Sequence, residues 1–134
     1  MVAISWDRKS RHWKKNLQKE VANRYSSLLS SLSFLRTPTI PEGYQSAWAQ
    51  YSILAANEKQ REIILSVLSK EKIPTTIYYP KPLHQQEAFS FLGYNKGDFP
   101  ESENIAQRIF SVPMHPYLKE EDQKKIVEVL QNVI

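Results

Sequence analysis

The alternation of apolar and polar positions divides the chain into short segments of differing period. Over 13–35, Leu17, Val21, Tyr25, Leu28, Leu29 and Leu32 recur at three- and four-residue steps with Lys, Arg and Ser between them. That period predicts an amphipathic helix. Ser26, Ser27, Ser30 and Ser31 weaken its propensity, so packing must hold its second half. Thr37-Pro-Thr-Ile-Pro-Glu-Gly43 then stops it in an extended loop. The mostly apolar run 46–55, with Trp48, Tyr51 and Ile53, predicts a buried central strand in which Gln50 needs a polar partner.

Asn57 and Gln60 have the spacing of a capping box, opening a helix over 58–71 with Ile63, Ile64, Val67 and Leu68 on one face. The β-branched and aromatic run 75–79 predicts a strand ended by Pro80, with Tyr78 and Tyr79 on opposite faces. A short helix or turn follows over 84–92, then a helix over 100–109 with acids in its first turn, where the helix dipole favours them. A strand over 110–113 leads to a last helix over 119–134. Glu120, Glu121 and Asp122 open that helix, and Ile126, Leu130 and Val133 line its inner face with help from Val127. The order predicts an α/β (α+β) fold, a small sheet packed against several helices.

With 134 residues, 41% of them apolar, the chain fits one domain with a modest core. Its longest apolar runs are far shorter than the ~18–20 residues that span a bilayer. The first residues turn charged by Asp7 and carry no apolar secretory core. The lack of cysteine excludes disulfides and thiolate chemistry and fits a cytoplasmic location. Eight of the eighteen basic residues lie within 1–36 against two acids, Asp7 and Glu20, so the positive charge is concentrated there. The three glycines, Gly43, Gly93 and Gly97, form no phosphate cradle of the Gly-rich kind.

Several short motifs follow one another at defined spacing. They are Ala22-x-Arg24-Tyr25, a Pro-rich loop (Pro38, Pro41, Glu42, Gly43), Ser46-Ala-Trp-Ala-Gln-Tyr51 and Ile73-Pro-Thr-Thr. Next come Tyr79-Pro-x-Pro-Leu-His84-x-Gln86, Leu92-Gly-Tyr, Gly97-Asp-Phe-Pro-x-Ser-Glu103 and Pro113-Met-His-Pro-Tyr-Leu118. In this order they resemble the C-terminal segment of the DegT/DnrJ/StrS-type sugar aminotransferases, which are pyridoxal phosphate (PLP) enzymes. The resemblance runs from about Leu17 to the end. It implies that 17–134 form the C-terminal small domain of a fold-type I aminotransferase, and that the large PLP-binding domain is absent. Residues 1–16 read as a diverged or added basic lead.

The resemblance further implies a homodimeric enzyme with its active site at the subunit interface. Such an enzyme moves an amino group from glutamate to a nucleotide-linked keto sugar, for polysaccharide or glycoside biosynthesis. Family members often carry His-Tyr-Pro where this chain has Tyr78-Tyr79-Pro80, with those side chains near cofactor and sugar nucleotide. Tyr79 matches. Tyr78 replaces the histidine by a phenol, which donates a hydrogen bond but carries no positive charge at neutral pH. The resemblance thus nominates Tyr78, Tyr79, His84 and Gln86 as substrate-binding. Read without it, the tyrosines simply alternate across a strand, His84 caps a turn, and His115 is a structural histidine bonded to backbone.

Transamination needs a Schiff-base lysine, a carboxylate on the pyridinium nitrogen and a phosphate-binding loop. None of the twelve lysines stands in a context resembling the family's Schiff-base segment. The expectation is that PLP belongs to the full-length enzyme, and that this chain alone binds none and is inactive. His12, His84 and His115 have no paired spacing, so no metal site is expected. No nucleophile elbow or Ser-His-Asp order appears.

Two other classes fit parts of the chain. One is a truncated, non-catalytic paralogue that pairs with a full-length aminotransferase through an apolar face around Tyr78–Gln86. The other is a basic N-terminal binder of nucleic acid or an anionic membrane surface, built on Arg8, Lys9, Arg11, Lys14 and Lys15 with Trp6, His12 and Trp13. The plainer reading of that lead is a solvated helix start.

Overall fold

A computed structural model describes residues 8–133, with side chains from Asn16 onward, so the basic and aromatic side chains of the lead lie outside the described residues. Helix α1, Arg8–Leu29, buries Val21, Ala22, Tyr25 and Leu29. It ends short of the predicted 35 because Ser30 turns its hydroxyl onto the Ser27 carbonyl at 2.7 Å, a local bond that competes with the helical ladder. Leu32 and Leu35 continue in tight turns and still reach the core.

The predicted strand over 46–55 is shorter. Trp48 takes a left-handed conformation, φ +50°, which no strand accommodates. Strand β1 is therefore Tyr51–Leu54, and Gln50 is exposed, with no need of a buried partner. Trp48 remains buried, its ring 5.7 Å from that of Tyr51, which in turn lies 5.0 Å from that of Tyr25. Tyr51 shares a 2.8 Å hydrogen bond with Ser26, and Tyr25 donates to the Pro113 carbonyl at 2.9 Å. Burial pushes both phenol pKa values up, although the Ser26 bond partly offsets this at Tyr51.

Helix α2, Glu58–Lys70, starts as read: the Asn57 side chain accepts from the Gln60 amide at 2.9 Å. In the reciprocal bond the Gln60 side-chain oxygen accepts from the Ala56 amide, one residue earlier than in the usual capping box. Ile64 and Leu68 are buried, whereas Ile63 is 45% exposed, so the inner face is narrower than predicted.

Strand β2, Ile109–Val112, pairs antiparallel with β1, setting Ser52 opposite Ser111 and Ile53 opposite Phe110. The two serine hydroxyls meet at 2.8 Å. Beyond this pair the sheet gains single bridges, Arg36 to Leu54 on one side and Thr76 to Ser111 on the other. The predicted strand over 75–79 is thus reduced to one bridging residue. Pro74 and Pro80 carry no N–H for a ladder, and the chain leaves the sheet after Thr76. Tyr78 and Tyr79 consequently both face outward, at 41% and 72% exposure, instead of alternating between core and solvent.

Helix α3, Pro100–Arg108, is fastened to its neighbours by two arginines. Arg61 donates to the Ala106 carbonyl at 2.8 Å and Arg108 to that of Ala55 at 2.7 Å. Helix α4, Glu120–Gln131, buries Ile126, Val127 and Leu130. It also sends the buried Gln123 amide onto the Val21 carbonyl at 2.9 Å, joining the last helix to the first. The result is a two-stranded sheet packed between helices, the α+β architecture expected.

Helix α2 ends in a Schellman turn: Ile73 N–H bonds to Leu68 O and Lys72 N–H to Ser69 O, at 2.9 and 3.0 Å. The left-handed position is held by Lys72, φ +58°, where glycine is the unstrained choice. Lys72→Gly should stabilise the chain by about 1 kcal/mol, the left-handed penalty outweighing glycine's added unfolded-state entropy. Urea denaturation checks this, and a loss of stability would contradict the cap.

Candidate functional site

Between the end of the sheet and α3 the chain from Tyr78 to Phe99 folds into an open groove of about 830 Å³. Proline and glycine set its path. Pro82 leads a 3-10 turn, Leu83–Gln85, closed by Gln85 and Gln86 amides on the Pro82 and Leu83 carbonyls. A second 3-10 segment, Glu87–Leu92, ends at Gly93 with φ +74°, a conformation that favours glycine. The Asn95 amide then bonds to the Asp98 carboxylate at 2.7 Å, tightening the loop that leads to Phe99.

All four nominated residues lie on this groove. Tyr78 and Tyr79 form one wall, and His84 and Gln86 belong to the turn that faces it. Gln86 does not project freely: its side-chain amide donates to the Lys81 carbonyl at 3.3 Å and braces the turn. The His84 side chain reaches across to α3 instead of capping its own turn. Its Nε2 lies 2.9 Å from Glu103 Oε1, its side chain is only 7% exposed, and its ring sits 4.8 Å from that of Phe99. Phe99 in turn meets Tyr94 edge-on at 5.0 Å. Phe89 and Leu92 add to a lining that is mostly aromatic and apolar, while Lys81 brings a positive charge to the rim.

Phe99 and Glu103 stand inside one of the ordered motifs, but neither they nor Lys81 draw a role at a site from the sequence. Glu103 read as one of several acids at a helix start, yet its Oε1 also accepts the Gly97 amide at 2.7 Å. The Gly97 bond, followed by His84 and the Phe99 amide, holds the Glu103 carboxyl below its ordinary range against the opposing effect of desolvation. The available signal was the spacing from Gly97 to Glu103 across Pro100. His115, expected to bond to backbone, is exposed, and its carbonyl alone is engaged, by the Leu118 amide. No group of three or more His, Asp or Glu side chains able to hold a metal occurs among the described residues. No described helix is long and apolar enough to cross a membrane.

Such a groove suits a ligand with flat or apolar rings and a negative charge near Lys81, held by stacking and by the two tyrosine hydroxyls. Every described lysine is exposed, and the glycines stand singly.

Residues 9–131 match the DegT/DnrJ/EryC1/StrS aminotransferase family. The "Pleiotropic regulatory protein" of Geobacillus stearothermophilus is 37% identical over 118 residues, covering 87% of this chain and 31% of the relative. The UDP-N-acetyl-3-dehydro-alpha-D-glucosamine 3-aminotransferase of Acidithiobacillus ferrooxidans is 32% identical over 117 residues, again covering 87% of this chain and 30% of the relative. Among solved structures, a DegT DnrJ EryC1 StrS aminotransferase from Brucella abortus superposes with a TM-score of 0.77 at 41% identity, over 89% of this chain and 31% of that one. The chain thus spans about a third of the length of the proteins it matches.

Because the folded carboxyl of Glu103 is held low, its stabilising bonds are complete above the ordinary value of 4.5 and are lost as pH falls through the lowered one. Unfolding followed between neutral and acid pH should show Glu103→Gln losing less stability than the parent chain. Equal acid sensitivity would remove Glu103 from the account.

Proposed function

The chain belongs to the DegT/DnrJ/EryC1/StrS aminotransferase family, and from that premise we propose that residues 17–134 are the C-terminal small domain of a sugar aminotransferase. In this reading PLP sits in the large domain of the full-length enzyme, which acts as a homodimer in the cytoplasm. It transfers an amino group from glutamate to a nucleotide-linked keto sugar, and the present chain alone is inactive. The observation that carries the reading is the convergence of Tyr78, Tyr79, His84 and Gln86 on one open aromatic groove in a chain of this family. The names of relatives that act on UDP- and dTDP-linked amino sugars support the substrate class.

When bound, PLP supplies the electron sink on which amino transfer depends. The residues of this chain bind and orient. The Tyr79 hydroxyl, highly exposed at the mouth, donates to the sugar or diphosphate, and Tyr78 contributes a neutral hydrogen bond where an imidazolium would add charge. The rings of Tyr94 and Phe99 stack on flat or apolar ligand surface, and Lys81 offsets diphosphate charge. Burial of the groove beneath the large domain excludes water, which strengthens each of these contacts.

A second reading is favoured by the same exposed apolar rim on a chain one third the length of its relatives: a non-catalytic paralogue that docks on a complete aminotransferase. Intact mass spectrometry of the native product separates the two. A product roughly three times 15.6 kDa with PLP bound supports the enzyme, and one near 15.6 kDa overturns it. In the full-length enzyme, Tyr79→Phe should lower kcat/KM for the sugar substrate about tenfold, the loss of one good hydrogen bond. An unchanged value would sink the bonding role of Tyr79.

A further inference from the structure

One oxygen ties together three of the pieces of chain that build the groove. The 3-10 turn supplies His84, the loop 93–99 supplies Tyr94 and Phe99, and α3 supplies Ser102, Ile105 and Ala106. Oε1 of Glu103, on α3, meets His84 Nε2 at 2.9 Å and the Gly97 amide at 2.7 Å. The pair is sheltered, with side-chain exposures of 7% for His84 and 12% for Glu103. Both bonds are charge-assisted on the carboxylate side, the stronger and more directional kind. His84 then carries the order outward, because its ring packs on Phe99 and Phe99 packs on Tyr94.

The fold does not need this carboxylate. Helix α3 is already fixed by Arg61 to the Ala106 carbonyl and by Arg108 to that of Ala55, and Ala106 is its one buried residue. What Glu103 alone fastens is the pair of loops that face the ligand. We propose that Glu103 is the positioning residue of the groove: it sets the separation of His84 from the 93–99 loop, and so presents Phe99 and Tyr94 to the substrate. The inference deepens the reading of this groove as the sugar-nucleotide face and rests on it for the kinetic consequence. The geometric part stands on this chain by itself.

Two measurements test it, and they fail separately. In the present chain, Glu103→Ala should speed hydrogen exchange of the Gly97 amide about tenfold or more and shift the ring resonances of Phe99 and Tyr94. The amides of Ile53 and Phe110 should keep their protection. Glu103→Gln, which retains an acceptor for Gly97, should restore most of the difference. Unchanged Gly97 exchange in Glu103→Ala, or loss of protection throughout the sheet, overturns the proposal. In the full-length enzyme, with UDP-N-acetyl-3-dehydro-α-D-glucosamine and glutamate as probe, Glu103→Ala should raise KM for the sugar about tenfold with kcat within about twofold, and Glu103→Gln should recover it. A purely structural role would lower thermal stability and the active fraction with KM unchanged, and that result also overturns the proposal. If the parent enzyme turns over no nucleotide sugar, the functional reading falls, and Glu103 is then judged by Gly97 exchange.

Discussion

A buried column of aromatic rings, Trp48 on Tyr51 on Tyr25, holds this domain together. A two-stranded sheet is marginal in water unless a helix covers it. Tyr25 of α1 and Tyr51 of β1 supply that cover, and their hydroxyls are satisfied by Pro113 and Ser26 instead of being left as buried orphans. The Tyr25 bond joins residues 88 apart in sequence, so it fixes where the chain emerges from β2. Gln123 on Val21 repeats the device at the α1–α4 contact. Its side-chain oxygen finds no partner among the described residues, which is a local cost of burying the amide.

With the sheet fixed in this way, the part of the chain that leaves it is free to serve another end. Thr76 is the last residue held by β2, and the next two aromatic side chains, Tyr78 and Tyr79, turn outward. Their exposure would be costly in a finished surface. In the reading proposed above, this is the face that the remainder of the enzyme covers.

How much of this was legible beforehand depended on period and on punctuation. Helices α2 and α4 announced themselves through apolar steps of three and four, and the Asn57 cap through its spacing to Gln60. The strand around Trp48 was misjudged because apolar composition says nothing of a positive φ. The strand over 75–79 was misjudged because β-branched propensity says nothing of missing ladder donors when prolines stand on both sides. The groove tyrosines, His84 and Gln86 were reached through an ordered series of motifs. Glu103 closes one of those motifs but drew no role, because a carboxylate at a helix start has a sufficient local explanation in the dipole, and its two tertiary partners lie six and nineteen residues away.

The two solitary bridges have a bearing on how copies of this domain behave in company. A two-stranded sheet offers two rims of unpaired N–H and C=O groups, which ordinarily recruit further strands. Here Arg36 occupies the rim of β1 at Leu54, and Thr76 that of β2 at Ser111. Each bridge exchanges both of its hydrogen bonds, at 2.7–3.2 Å, then departs into a loop. The sheet is blunted at both rims without being extended, which shortens the stretch of backbone that could template cross-β stacking. Recognition then falls mainly to side chains, and most of the large apolar ones that are exposed, Tyr79, Leu83 and Tyr94 among them, line the groove.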